Sequence, residues 1–358
     1  MTQKKQPADG LDRSSDDDAA IITNQINRPK LPFPFWLPIV VGSLTGIALR
    51  LIFSGARADH FTAMNETFIL LAPFAVGAVS VYVAEIGARR SWRYYLFTGA
   101  LTNLLFVLGT MAILIEGLIC VILIAPLFSA IGALGGLFMG MLCRTVNWPR
   151  HAAFSLALLP VALGALPSPA VTPSVFKTVQ REITIPSDPG KIWQQLNNIQ
   201  QIQPHEVDQA WMYRIGVPLP ISGVTKVGPD GLVRQIRMGK AIHFEQYATE
   251  WKVDRYVNWR YRFSPDSFPA GALDEHVQLG GAYFDLLDTD YILTPLAPRS
   301  TKLTIRMRYR VSTDFNWYAE PIARFLVGNF EETILPFYRQ RTLAAMSADA
   351  TLRITPAN

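Results

Sequence analysis

The chain has 358 residues, of which 50% are hydrophobic and only 17% are charged, and it carries a formal net charge of +5. The apolar residues concentrate between Phe35 and Leu166, which argues against a single soluble domain. The part from residue 168 has 21 Lys and Arg against 19 Asp and Glu, and this near balance argues against a nucleic-acid partner. Both cysteines, Cys120 and Cys143, lie in the apolar half, so the C-terminal half has no disulfide, thiolate nucleophile or zinc–thiolate site.

Residues 1–34 are predicted to form a disordered cytoplasmic tail. They are mostly polar or small and include the run Asp16, Asp17 and Asp18, which leaves too little apolar surface for a folded core. The first apolar run begins only at Phe35, behind this tail, and no small-x-small site clearly ends it, which argues against a cleaved signal peptide.

Residues 35–167 are predicted to form a transmembrane domain, because a helix needs about 20 apolar residues to cross the hydrocarbon of a bilayer. Four runs meet this requirement, and a fifth run is shorter and contains Pro160. The spans are expected at residues 35–53, 67–84, 95–115, 118–142 and 152–168. The alternative for the fifth run is a position at the membrane surface, which would place the C-terminal domain in the cytoplasm.

Positive charge predicts the orientation of these spans. Basic residues precede the first span and separate the second from the third and the fourth from the fifth: Arg28, Lys30, Arg89, Arg90, Arg93, Arg144 and Arg150. Cytoplasmic loops carry such an excess of Lys and Arg. We therefore expect a multi-pass protein of a bacterial-type inner (cell) membrane, with a cytoplasmic N-terminus and a periplasmic or extracellular C-terminal domain.

Small residues recur every four positions on the fourth span, at Gly132, Gly136 and Gly140. Such a stripe lets another helix approach closely, either within the same bundle, which is the simpler interpretation, or in a homo-oligomer. Glu116 is an acidic residue set deep in apolar sequence and is for that reason a candidate functional site. Its position beside Gly117 indicates instead a tight turn at the water interface.

The C-terminal half is predicted to be an α+β domain. The predicted segments are a proline-rich extended linker at 168–175, the domain at 176–346 and a tail at 347–358. The first strand of the domain covers residues 176–185. After it, Asp188 and Pro189 supply a cap and a first-turn proline for a short amphipathic helix.

Antiparallel strands and a long helix are predicted to complete this domain. Residues 257–263 and 302–311 alternate apolar side chains with arginines, so each strand is half buried. The arginines either meet anionic lipid headgroups or form a solvated face that acids on neighbouring strands balance. An amphipathic helix over about 317–346 ends the domain, and this element order describes a curved sheet wrapped around a helix, with a pocket between them.

Two stretches carry a family resemblance, VQREITIPSDPGKIWQQL and IHFEQYATEWKVDRYVNWRYRF. Together with the element order, they make residues 176 to about 345 similar to the START-like superfamily (SRPBCC), which includes polyketide cyclases and dehydrases. The resemblance covers none of the membrane half and includes no signature catalytic motif. It implies a helix-grip fold with a hydrophobic ligand cavity, used in relatives for lipid transfer, small-molecule binding or aromatic ring cyclisation.

Candidate site residues follow from strand periodicity. If residues 241–253 form one regular strand, His243 and Glu245 share a face that points into the cavity, and Arg234 lies on the apolar face of its own strand. Such a His–Glu pair would act as general acid and base, with Arg234 polarising a carbonyl, but a single bulge would reverse these orientations. The expected ligand-binding residues are Arg234, Tyr247, Trp251, Trp259, Tyr261 and Phe330.

The leading hypothesis is a non-catalytic, membrane-tethered domain that binds a hydrophobic or amphipathic small molecule or lipid. One alternative is a polyketide cyclase- or dehydratase-like enzyme with His243 and Glu245 as its catalytic pair. Another is a structural or assembly module whose interior is filled by its own aromatic side chains. The sequence contains no HExxH, GxSxG or Gly-Lys-Ser motif and no clustered metal ligands, so neither a metal nor a cofactor is expected.

Overall fold

A computed structural model describes residues 34–54, 62–146, 152–165, 172–228 and 231–354. The chain forms two compact units, the first from residues 1–54, 70–106 and 127–163 and the second from residues 55–69, 107–126 and 164–358. Several sequence predictions lie outside the described residues: most of the N-terminal tail with Arg28 and Lys30, Arg150, residues 166–171 at the end of the fifth run and in the linker, and the last four residues.

The apolar half is helical. Its described helices are α1 (Leu37–Ile52), α2 (Glu66–Gly87), α3 (Trp92–Ala112), α4 (Leu118–Thr145) and α5 (Ala152–Gly164). Three of them, α2, α3 and α4, are long and apolar enough to cross a membrane. At 1.5 Å per residue, α1 and α5 reach only about 24 and 20 Å, against a hydrocarbon thickness of about 30 Å, so three helices rather than five have spanning length by themselves.

Glycines bring the helices of the first unit close together. A Cβ atom on Gly77 of α2 or Gly99 of α3 would collide with the carbonyl oxygen of Gly132 on α4. Gly136 and Gly140 face the backbone and the ring of Tyr95 in the same way. The predicted stripe thus packs within the bundle, whereas an oligomer through the same three glycines stays a prediction. Glu116 lies in the turn between α3 and α4, as the sequence indicates.

The second unit contains an eight-stranded antiparallel sheet in the order β1-β8-β7-β6-β5-β4-β3-β2. The strands are β1 (Ser174–Ile185), β2 (Asn198–Ile199), β3 (Pro220–Gly228), β4 (Gly231–Met238), β5 (His243–Lys252), β6 (Tyr256–Arg262), β7 (Phe284–Ala297) and β8 (Ser300–Ser312). The helices are α6 (Pro189–Asn197), α7 (Pro204–Val207), α8 (Trp211–Arg214) and α9 (Asn316–Ile354), and a 3-10 turn covers Glu275–Val277.

Local sequence signals explain α6. The Asp188 side chain accepts a hydrogen bond of 3.1 Å from the Lys191 backbone N–H, and Pro189 occupies the first turn, where its missing N–H costs nothing. The apolar side chains Ile192 and Leu196 are one turn apart and both buried, so α6 is fixed by its cap and by packing against the core.

The long helix α9 packs against the sheet and closes the core. Its buried side chains Val327, Ile334 and Tyr338 belong to the same apolar cluster as Trp259 of β6 and Leu303 of β8. The interior therefore lies between α9 and the sheet, and the arrangement fits the helix-grip fold that the family resemblance implied.

Candidate ligand-binding site in the helix-grip interior

The central feature of the interior is a buried arginine. Arg234 of β4 is only 3% exposed, as its place on the apolar face of its strand predicted. Its guanidinium donates to the Leu196 carbonyl, to Gln246 Oε1 at 3.4 Å and to Thr225 Oγ1 at 3.4 Å. All three acceptors are neutral.

Aromatic rings and a helix end partly compensate this charge. The Arg234 guanidinium carbon lies 4.5 Å from the centroid of the Trp259 ring and 5.5 Å from that of Tyr291, within the range of cation–π attraction. Leu196 belongs to the last turn of α6, where helical carbonyls carry partial negative charge. These contacts hold the side chain in one position without neutralising it.

No carboxylate forms an ion pair with Arg234 among the residues that the structure describes. The buried or half-buried ion pairs there involve other arginines. An arginine cannot lose its proton in a protein, and a buried charge without a counter-ion costs several kcal/mol. A ligand oxygen with negative charge would remove this cost, because a charge-assisted hydrogen bond to a guanidinium is short and strong.

Further hydrogen-bond donors surround the arginine. Trp259 is fully buried, and its Nε1–H has no partner among the described residues. The hydroxyls of Tyr291 and Tyr338 are 3.4 Å apart, and that of Tyr261 lies 2.7 Å from Thr289 Oγ1. Burial raises the pKa of both Tyr261 and Tyr338 far above the ordinary value of 10.0, so these phenols stay neutral and are able to donate hydrogen bonds.

A surface depression lies against the apolar cluster of this interior. It has a volume of about 370 Å³ and is lined by Asp208, Tyr213, Arg214 and Leu219. Tyr213 packs against the apolar cluster of the interior, and burial raises the pKa of its hydroxyl. Tyr213 therefore connects the depression with the group of aromatic side chains around Arg234.

A buried carboxyl group on α9 was missed by the sequence analysis. Glu331 is 0% exposed, and neither of its oxygens has a hydrogen-bond partner among the described residues. Burial raises its pKa to about 8, although the positive charge of Arg181 acts in the opposite direction. Helical spacing could have revealed it, because Glu331 lies between Val327 and Ile334 on one apolar face.

The predicted inward orientation of His243 and Glu245 is wrong. On β5 it is Phe244 and Gln246 that are buried, while the side chains of His243 and Glu245 are half-exposed. His243 Nε2 lies 3.4 Å from Asp266, and Glu245 lies 3.9 Å from an arginine nitrogen. Neither residue contacts Arg234, so the predicted acid–base pair does not lie beside it.

A bulge explains this error. The pairing of β5 with β6 shifts between Ala248 and Glu250, so residues before and after the bulge exchange faces. Trp251 pairs with the buried Val257 and is inward but 43% exposed, whereas Tyr247, before the bulge, faces outward under the Arg262 guanidinium at 4.9 Å. The regular-strand assumption wrongly gave Tyr247 and Trp251 one common face.

The other predicted binding residues lie in or near the interior. Trp259 and Tyr261 surround Arg234 as described above, and Phe330 of α9 packs edge-on against Tyr213 with ring centroids 6.4 Å apart. Their role in binding stays a prediction. Sequence reasoning missed Gln246, Thr289, Tyr291 and Tyr338, because polar and phenolic side chains at strand and helix positions do not mark a buried face by hydrophobicity.

Ion pairs neutralise two outward arginines of the sheet, Arg306 and Arg308. Arg306 lies 2.8 Å from Asp290 of the neighbouring strand, and Arg308 pairs with Asp288. Although burial alone would raise the pKa of Asp290, hydrogen bonds from neighbouring side chains and Arg306 hold it below its ordinary value. At these two positions acids on the neighbouring strand balance the arginines, so the two pairs give no support for a lipid-binding surface there.

Comparison with solved structures finds similar folds for the C-terminal half. A START superfamily protein from Mycobacterium smegmatis has 12% sequence identity, with 47% of this chain and 98% of that chain covered and a TM-score of 0.32. The Zhui aromatase/cyclase from Streptomyces sp. R1128 has 10% identity, with 47% and 94% covered and a TM-score of 0.30. A protein from Thermus thermophilus has 16% identity, with 47% and 99% covered and a TM-score of 0.30. No protein-family model and no curated protein matches the sequence.

Proposed function

We propose that this chain is a multi-pass membrane protein whose C-terminal helix-grip domain binds an amphipathic molecule or lipid, with an anionic or carbonyl head group on Arg234. The observation that carries the proposal is a buried guanidinium whose described hydrogen-bond partners are all neutral. The unpartnered Nε1–H of Trp259 adds a second donor beside it. The apolar side chains between α9 and the sheet suit the ligand's hydrocarbon part.

The helices α2, α3 and α4 support membrane insertion by length and composition. The proposed topology has five spans, with α1 and α5 extended by the apolar residues that flank them. Residues 107–126, which include the arginine-free turn between α3 and α4, share a compact unit with the C-terminal domain. This favours a domain on the side of the membrane opposite to Arg89, Arg90 and Arg144, that is, outside the cytoplasm.

A binding titration tests the head-group contact. The full chain in lipid nanodiscs is titrated with 11-(dansylamino)undecanoic acid and with its methyl ester, and empty nanodiscs supply the background. We expect the carboxylate to bind more tightly than the ester by roughly 10- to 100-fold, because a hydrogen bond to a charged group contributes about 1.5–3 kcal/mol. Arg234→Met should abolish this preference.

Two further variants control the titration. Arg237→Met removes an exposed arginine from the same strand and should leave the preference intact, while Arg234→Lys keeps the charge and should retain part of it. Thermal unfolding of each variant shows whether the domain is folded. A folded Arg234→Met chain that still prefers the carboxylate as the wild type does would overturn the proposal.

A structural module without a ligand is the second candidate function. The large aromatic side chains Trp259, Tyr309 and Phe337 are fully buried and fill part of the interior. In that case Arg234 would serve only to tie β4 to the end of α6. The same titration separates the candidates, because a purely structural interior would bind neither the acid nor the ester above the empty-nanodisc background.

A further inference from the structure

Three aromatic side chains stand exposed at one end of the C-terminal domain. Trp211 of α8 is 47% exposed, and Trp317 and Phe325 of α9 are 58% and 55% exposed. The rings of Trp211 and Phe325 lie 6.5 Å apart, and Trp317 precedes Phe325 by about 12 Å along the helix. We call these three side chains the aromatic rim. Large exposed aromatic groups that lie this close together mark an interaction surface.

Helix α9 and two loops of the same domain contact the first turns of α4. Tyr318, the residue after Trp317, donates a hydrogen bond of 2.6 Å from its hydroxyl to the Leu123 carbonyl. The Cys120 backbone N–H donates to Asp274 at 3.4 Å. Gly216, which follows α8, lies against the side chains of residues 118 and 119. All of these residues belong to the second compact unit, so the rim and the start of α4 are neighbours within it.

Sheet topology places the same surface at one end of the strands. The β6–β7 loop contains Asp274, and the turn after β8 leads directly to Trp317. The connections at the other end of the antiparallel sheet are the β3–β4, β5–β6 and β7–β8 turns. Val253 lies in the β5–β6 turn. The start of α4 therefore adjoins one end of the domain and leaves the Val253 end away from it.

The physical chemistry of a span end favours a bilayer as the partner of this surface. A helix of spanning length begins at the headgroup layer, where tryptophan is enriched because its ring is apolar and its N–H is polar. The exposed Arg214 holds its guanidinium carbon 5.6 Å from the Trp211 ring, which adds a positive charge for lipid phosphates. Arg214 and Tyr213 both line the depression described above.

We propose that the aromatic rim lies in the headgroup layer of the membrane that α4 crosses, so that the depression beside Trp211 opens at the bilayer surface. A lipid would then pass from the bilayer along Arg214 and Tyr213 toward Arg234 without crossing bulk water. The inference deepens the proposed function and rests on its claim that α4 spans the membrane, and it is independent of which molecule Arg234 binds.

Site-specific fluorescence in nanodiscs tests this contact. Phe325→Cys is labelled with an environment-sensitive NBD group in a full chain whose native cysteines, Cys120 and Cys143, are replaced by Ala. We expect blue-shifted emission, strong quenching by lipids carrying a nitroxide near the headgroup, and little quenching by aqueous iodide. The matched control is Val253→Cys, which is also exposed but lies at the other end of the sheet and should show the opposite quenching pattern.

The outcomes separate the possible occupants of the surface. Equal iodide quenching at positions 325 and 253 would place the rim in water and overturn the inference. Blue-shifted emission without nitroxide quenching would show that protein covers the rim, which also overturns it. Leu134→Cys on α4 reports the span itself, with lipids that carry the nitroxide in the acyl chain, since its side chain is 60% exposed. If the lipid nitroxide does not quench the label at position 134, the membrane part of the proposed function fails. Quenching of the label at position 134 without quenching at position 325 refutes only this inference.

A second measurement avoids the cysteine replacements. Brominated lipids quench tryptophan on contact, so a Trp211→Phe, Trp317→Phe double variant of the native chain should lose part of the lipid-dependent quenching. Trp251→Phe, near the Val253 end of the sheet, should lose none. An unchanged quenched fraction in the double variant would contradict the proposed contact.

Discussion

Replacing Glu331 by glutamine is expected to make the protein more stable at neutral and alkaline pH. The carboxyl group is fully buried between α9 and the sheet, without a hydrogen-bond partner among the described residues. Burial raises its pKa from 4.5 to about 8, which corresponds to a difference of about 5 kcal/mol between the neutral and ionised forms. Glutamine keeps the shape and stays neutral at every pH.

The sign of the effect follows from proton binding. Between pH 4.5 and 8 the folded state keeps the Glu331 proton and the unfolded state releases it. The stabilisation is therefore complete below pH 4.5 and is lost as the pH rises toward 8, by about 3 kcal/mol between pH 4.5 and 7. Glu331→Gln removes this loss, so its advantage over the wild type should grow with pH.

Thermal unfolding of the full chain between pH 5 and 8 measures this difference. A change of about 3 kcal/mol corresponds to a shift in Tm of roughly 6–12 °C for a domain of this size. Glu332→Gln is the matched control, because Glu332 is exposed and paired with Arg181, and its Tm should run parallel to that of the wild type. Parallel curves for Glu331→Gln and the wild type would show that the Glu331 carboxyl is paired or already ionised, and the reasoning would be refuted.

Three other predictions concern topology and packing. Alkaline phosphatase fused after Asn358 should be active in a bacterial host, whereas an inactive enzyme together with a fluorescent green-protein fusion at that point would show that the fifth run does not span. Arg341→Gln breaks the half-buried salt bridge between α9 and α7 and should lower the free energy of unfolding, measured by denaturation, by about 1.5–3 kcal/mol. The control Arg339→Gln changes an exposed arginine and should leave the free energy of unfolding unchanged. Equal effects of the two changes would show that the salt bridge does not stabilise the fold. Gly132→Ala places a Cβ against α3 and should reduce the folded fraction in size-exclusion chromatography. The control Gly87→Ala has no atom within 4 Å of the added Cβ and should leave the folded fraction unchanged. Normal folding of the Gly132 variant would show that the helices are not packed this closely.

Much of the fold could be predicted because local signals agree with it. The cap at Asp188 and the proline after it mark the start of α6, and the alternation at 257–263 identifies the inner side of β6. The apolar runs mark the helices of the first half. Their exact lengths were less accessible, because α1 and α5 are shorter in the structure than the apolar runs that predict them.

The site was harder to predict, because its geometry depends on pairing between distant strands. The bulge in β5 has no marker in the sequence between Ala248 and Glu250, and it alone decides whether Glu245 or Gln246 points inward. Periodicity identified Arg234 because its neighbours at two-residue spacing are apolar. It could not show that the described contacts of Arg234 are all neutral, since that depends on strands, helices and loops far apart in the chain.

Mass spectrometry of molecules that co-purify with the full chain tests the central claim most directly. Wild type, Arg234→Met and Arg237→Met are purified in parallel, extracted with organic solvent and analysed in negative-ion mode. The account predicts an anionic amphipathic molecule in near-equal amount to the protein in the wild type and in Arg237→Met, and its loss from Arg234→Met. An identical set of molecules in all three samples, or none above the level in the surrounding lipid, would contradict it.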